Sequence, residues 1–211
     1  MNKEDSIKEK FKQALTSTFK VISDDFINNR NKSKFDEKSL EISELENIND
    51  KYQFIKLRAE TDSQALKKKF SNNKIFEKNI PKKLTCQNLY KTAEKIRYEM
   101  LGSKMLKGIS KNFYENYNYK LKSIKTEKTT KKEEVNIADA FEIYMLQKFF
   151  KIELNKNNKE VLNYWNDDFK KSFDKHINYL KENLENQEVY NSKFSEILQN
   201  MEIFDSEESQ E

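Results

Sequence analysis

Ile7, Phe11, Leu15, Phe19 and Ile22 recur at spacings of four and three, which puts them on one stripe of an amphipathic helix with Asp5 or Ser6 available as its cap. From Phe26 to about Ile48 the chain is polar and has no helical period. Phe35, Leu40, Ile42 and Leu45 read there as anchors of a long, poorly regular loop near residues 24–49. A second helix is predicted from about Asp50 to Phe70, carrying Ile55, Leu66 and Phe70 beside Arg58 and Asp62. Pro81 separates it from a central helix predicted from Thr85 to about Leu121. Residues 121–134, rich in lysine and threonine, read as a solvated surface connector, with a basic docking strip as the alternative. Beyond it the pattern predicts a helix through Ile137, Phe141, Tyr144, Met145 and Phe149. A longer one follows through Val161, Trp165, Phe169, Phe173, Ile177, Leu180 and Leu184, and a last one through Val189, Phe194, Ile197 and Met201.

With one proline and two glycines in 211 residues, the chain lacks the turn chemistry that a sandwich or barrel needs every dozen residues. The expected fold is therefore all-α, an irregular multi-helix bundle around the central helix. No repeat period is visible, so a regular solenoid is not expected. The 15 Phe and 10 Tyr exceed what a disordered chain carries, and no apolar run approaches the roughly 20 residues that span a bilayer. The first residues lack the apolar core of a signal peptide, so cytoplasmic residence is expected.

Both glycines, Gly102 and Gly108, fall inside the predicted central helix, where each costs roughly 1 kcal/mol relative to alanine. Their placement points to backbone exposed for close packing or contact, with a helix break as the plainer alternative. On a helical wheel Glu94, Arg97, Leu101, Met105, Gly108 and Asn112 share one stripe, while Glu99 and Gly102 lie to one side. Gly108 is thus the glycine expected to meet another helix or a partner.

The order Glu94-x-x-Arg97-x-Glu99-x-x-Gly102-x5-Gly108-x3-Asn112 resembles the signature of the amino-terminal region of the CobT subunit of aerobic cobaltochelatase. The resemblance continues in register through Phe11-Lys-Gln-Ala14, Val21-Ile22, Arg58-x3-Asp62, Ala138-Asp-Ala140, Leu162-x2-Trp165 and Phe194-x3-Leu198. At the second site the family usually has Arg-Gly, where Ala59 follows Arg58 here. The resemblance implies a helical domain over residues 1–204, with 205–211 as the start of the family's acidic linker or a tail. The family's von Willebrand A type domain, with its Asp-x-Ser-x-Ser metal site, has no counterpart in these residues. It further implies work beside a CobS-like AAA+ ATPase and a CobN-like large subunit, which holds hydrogenobyrinic acid a,c-diamide and receives Co²⁺. ATP, Mg²⁺ and Co²⁺ are expected in that assembly and no cofactor in this chain.

The residues themselves offer little catalytic chemistry. There is no Gly-x4-Gly-Lys-Ser/Thr phosphate loop, so ATP hydrolysis is not expected of this chain. His176, the single histidine, lies within an apolar stripe and reads as a core-edge residue, and Cys86, the single cysteine, reads as a buried thiol. No catalytic, cofactor-binding or metal-ligating set is expected. Arg58 and Asp62 are one turn apart and face the same way as Ile55 and Leu66, so partners on the central helix, Glu94, Arg97 or Glu99, are expected to complete a buried network that fixes helix register. A partner-docking site and contact with corrin carboxylates are the other readings of these residues. Nucleic-acid binding and a plain adaptor or scaffold are the rival functions. Against the former, 40 basic residues are nearly balanced by 36 acidic ones that interrupt almost every basic stretch.

Overall fold

The computed structural model describes residues 3–23, 43, 45–124 and 132–201. Among these residues every regular element is helical, as the scarcity of glycine and proline predicts. Most of the loop expected near 24–49, most of the connector and the tail after Phe204 lie outside the described residues.

Helix α1 (Lys3–Ile22) starts two residues before the expected caps, so Asp5 falls with Glu4 in the first turn, where carboxylates favour the amino-terminal dipole. Leu15, Phe19 and Ile22 are buried, while Ile7 at the other end of the stripe is exposed. The helix therefore packs against α2 (Lys51–Phe70) mainly through its second half. Asp50 caps α2 by accepting from the backbone N–H groups of Tyr52 and Gln53, and a short α3 (Asn73–Lys78) follows, capped by Asn72. The chain then enters α4 (Leu84–Met105), which is buried on several faces at once and packs on α2, on the carboxyl-terminal helices and on its own continuation. The expected central helix is here, but it runs 22 residues and ends at Met105.

That shortening corrects the sequence reading. The helix does not run to Leu121. It stops at Leu106, which is extended (φ −138°, ψ 125°), and restarts as α5 (Lys107–Ser123). Leu106 donates its N–H to the Gly102 carbonyl at 3.0 Å and accepts from the Ser110 N–H at 3.1 Å, so one residue closes α4 and opens α5. An unbroken helix over 85–121 would extend about 55 Å. The turn instead lets α4 and α5 pack on each other and both reach α2.

The long helix expected over 161–184 is also divided, into α7 (Lys156–Asn163), α8 (Asn166–Phe173), a 3-10 turn (Asp174–His176) and α9 (Ile177–Glu182). Apolar residues four apart drift by about 40° per step on a straight helix, so the stripe from Val161 to Ile177 would wander about 160° off the core. The breaks reset the phase and leave Phe169, Phe173 and Ile177 all buried. Together with α6 (Ile137–Met145), its π-helical extension (Leu146–Phe150) and α10 (Gln187–Gln199), these pieces enclose an aromatic core. In it Phe141, Tyr144, Phe169, Phe173 and Phe194 lie with ring centroids 5.2–6.5 Å apart.

Candidate functional site

The signature residues divide into two polar networks, both built on α4. The first centres on Arg97, which is 1% exposed. Its Nε donates to Glu94 Oε2 at 2.7 Å and one terminal nitrogen to Glu94 Oε1 at 2.8 Å, a forked pair within a single helix. The remaining donors reach the Phe70 carbonyl at 2.6 Å and the Leu184 carbonyl at 2.8 Å. Ser71 and Gln187 also donate to Glu94 Oε1, and Gln187 Oε1 accepts from the Asn72 backbone N–H at 2.7 Å. One guanidinium thus holds together the end of α2, the middle of α4 and the chain between α9 and α10. The planar fork of arginine suits this role and the point charge of lysine does not.

The second network occupies the opposite side of α4. Glu99 accepts from Ser63 Oγ at 2.6 Å on one oxygen and from the Tyr117 hydroxyl on the other, with Lys95 Nζ at 3.9 Å. Burial raises the Glu99 carboxyl pKa, against the opposing pull of Lys95, Ser63 and Tyr117. Beside it Asp62, 2% exposed, accepts from Asn112 Nδ2 at 2.7 Å. Burial pushes the Asp62 carboxyl up to about 6, while the Asn112 hydrogen bond and the Arg58 charge pull it down and the nearby Glu99 charge pushes it up. This network joins α2, α4 and α5.

Arg58 departs from expectation. It is exposed, with its guanidinium 5.8 Å from the centre of the Phe11 ring, and it influences Asp62 only through its charge. The close approach expected at Gly108 is found at Gly102 instead. A methyl group at Gly102 would meet the Leu66 side chain at 2.3–2.9 Å, whereas one at Gly108 would meet nothing within 4 Å. Gly102 is therefore the point of close helix approach. Gly108, at the start of α5, lines an open groove facing α1. The wheel misassigned them because it ran one helical phase through the break at Leu106.

Ser63, Ser71, Tyr117, Gln187 and the Leu184 carbonyl complete these networks and were not among the residues singled out. Ser71 is the residue at which α2 ends, its backbone N–H bonded to the Lys67 carbonyl. Gln187 lies 115 residues from Asn72, its backbone partner, and carried no signal. Cys86 is fully buried, and His176 is partly exposed at the end of the 3-10 turn, where burial first and then Lys193 and Lys175 lower its pKa. No group of three or more metal-ligating side chains occurs among the described residues.

The family model described as cobalamin biosynthesis protein CobT matches residues 5–211. The chain belongs to the CobT family. No curated protein and no solved structure gives a significant match. In this CobT-family chain Glu94 and Arg97 of the signature are thus tied to each other and, through Arg97, to the backbone carbonyls of Phe70 and Leu184. Among the described residues no helix is long and apolar enough to cross a membrane.

Proposed function

We propose that this chain is a helical interaction module of an ATP-dependent cobaltochelatase, joining CobT to a CobS-like AAA+ ATPase and a CobN-like large subunit during cobalt insertion into hydrogenobyrinic acid a,c-diamide. Cobalt is the substrate of the assembled machine, and ATP and Mg²⁺ belong to its ATPase.

The observation that carries this reading is the use made of the signature. Within a chain matched to the CobT family, Glu94, Arg97, Glu99 and Asp62 are buried and engaged with their own neighbours, so they act as helix-register residues. A rigid body of that kind suits a part that transmits position between subunits. The assay that tests it is cobalt insertion reconstituted from the ATPase, the large subunit and full-length CobT, with this chain added in excess. The module competes with CobT and lowers the rate, and by itself neither hydrolyses ATP nor inserts cobalt. Turnover by the chain alone, or a rate indifferent to its excess, contradicts the proposal.

A further inference from the structure

Helix α10 runs antiparallel to α4. Gln187 at its start donates to Glu94 at 3.0 Å, Tyr190 in the next turn donates its hydroxyl to the Ala93 carbonyl at 3.1 Å, and near its end the Leu198 carbonyl accepts from the Cys86 thiol at 3.8 Å. The carboxyl-terminal end of α10 therefore lies beside the amino-terminal end of α4, and Met201, the last of the described residues, is buried there. Two pairs of lysines flank this corner. Lys82 and Lys83 lead into α4, next to Leu84, whose side chain is 70% exposed. Lys171 and Lys175, both exposed, line a depression between α8 and α10 together with His176, Asn200 and Met201.

The depression also holds two carboxylates, and each is matched by a further lysine. Asp168 accepts from Lys132 Nζ at 2.7 Å and Glu196 from Lys193 Nζ at 2.7 Å. Positive charge prevails at His176, whose pKa is lowered by burial, then by Lys193 and Lys175, and raised only by Glu196. The sequence that leaves Met201 has the opposite character. Glu202-Ile-Phe-Asp-Ser-Glu-Glu-Ser-Gln-Glu211, outside the described residues, contains five acidic residues, no basic one, and the apolar pair Ile203-Phe204. Lys67, Lys68, Lys69 and Lys74 form another basic stretch, but it adjoins Asn72, which binds Gln187 at the start of α10, about 20 Å along that helix from Met201. Attachment at Met201 thus favours the nearer lysines.

We propose that the segment from Glu202 to Glu208 folds back over this corner, with Ile203 and Phe204 against Leu84 and the carboxylates of Glu202, Asp205, Glu207 and Glu208 facing Lys82, Lys83, Lys171 and Lys175. Tethering at Met201 gives the segment a high effective concentration, so surface ion pairs that are weak between separate molecules suffice to hold it. The occupant of this basic corner is then the chain's own acidic segment. The contact goes beyond the interaction-module reading and does not rest on it.

The test uses the full chain with Gln210→Cys carrying a nitroxide label, which Cys86 does not take because it is fully buried, and reads paramagnetic broadening of backbone amide resonances by NMR. At physiological ionic strength the amides of Leu84 and His176 broaden. Both recover their intensity in the triple variant Lys82→Glu, Lys171→Glu, Lys175→Glu, and in the wild-type background when salt is raised to about 1 M, where charges are screened within about 3 Å. Each variant is checked for an unchanged melting temperature, and Glu207→Gln with Glu208→Gln replaces the lysine variant if that one unfolds. Broadening that is absent, spread evenly over the surface, or retained through both the substitutions and the salt overturns the proposal. Labelled protein without isotope is also mixed with isotope-enriched protein without label. No broadening is expected in the mixture, and broadening at Leu84 and His176 there would assign the corner to a second copy of the chain and overturn the proposal.

Discussion

At the residue scale, the buried charges divide into one that is fully compensated and one that is not. Arg97 satisfies Glu94 and two backbone carbonyls, so removing it strands a buried carboxylate. Arg97→Met lowers stability by about 3–5 kcal/mol, and adding Glu94→Leu recovers part of that loss in chemical denaturation. Asp62 behaves oppositely. Its folded pKa of about 6 lies above the ordinary 3.8, so between those values the folded chain keeps a proton that the unfolded chain releases. The contribution of this group is fully present below the unfolded pKa and is lost as pH rises through about 6. Asp62→Asn keeps an acceptor for Asn112 and removes the charge, so it stabilises the chain by about 2 kcal/mol at pH 7.5 and has little effect at pH 4. Equal effects of Asp62→Asn at both pH values would refute the assignment. The glycines give a paired test. Gly102→Ala forces a methyl group into fully buried Leu66 and destabilises by about 1–3 kcal/mol. Gly108→Ala meets open space and raises the melting temperature, within a propensity gain of up to about 1 kcal/mol.

At the element scale, what the sequence made legible were the capped and strongly periodic pieces. Asp50, the expected start of the second helix, caps α2, whereas the caps Asn136, Asn155 and Asn186 of α6, α7 and α10 were not read from the sequence. The turn at Leu106 falls between Gly102 and Gly108, where a helix break was the plainer alternative to close packing, but no proline or glycine occupies the turn itself, so its position carried no local mark. The π-helical turn after α6 was equally hidden. It ends at Lys151, which adopts the left-handed conformation (φ 56°) where glycine is the usual choice. Lys151→Gly therefore raises stability by about 0.5–1 kcal/mol, measured by thermal melting. Destabilisation would show that the lysine side chain makes contacts that outweigh the backbone strain. The polar networks were legible in part. Glu94, Arg97, Glu99, Asp62 and Asn112 were chosen from their spacing, yet the way they pair follows from the fold-back of α5 and the approach of α10, contacts between residues far apart in the chain.

At the scale of the whole molecule, α4 is the common element of the core, the Arg97 network and the Glu99 network, and its end at Leu106 shapes the groove against α1. A body so arranged holds its inner charges fixed. The most direct measurement of that account is sedimentation velocity of the full chain mixed with the AAA+ ATPase and the large chelatase subunit at physiological ionic strength. A faster boundary containing the chain and at least one of these subunits, unaffected by added nucleic acid, is the predicted result. A chain that sediments alone with both subunits present, and moves only with DNA or RNA, would contradict it.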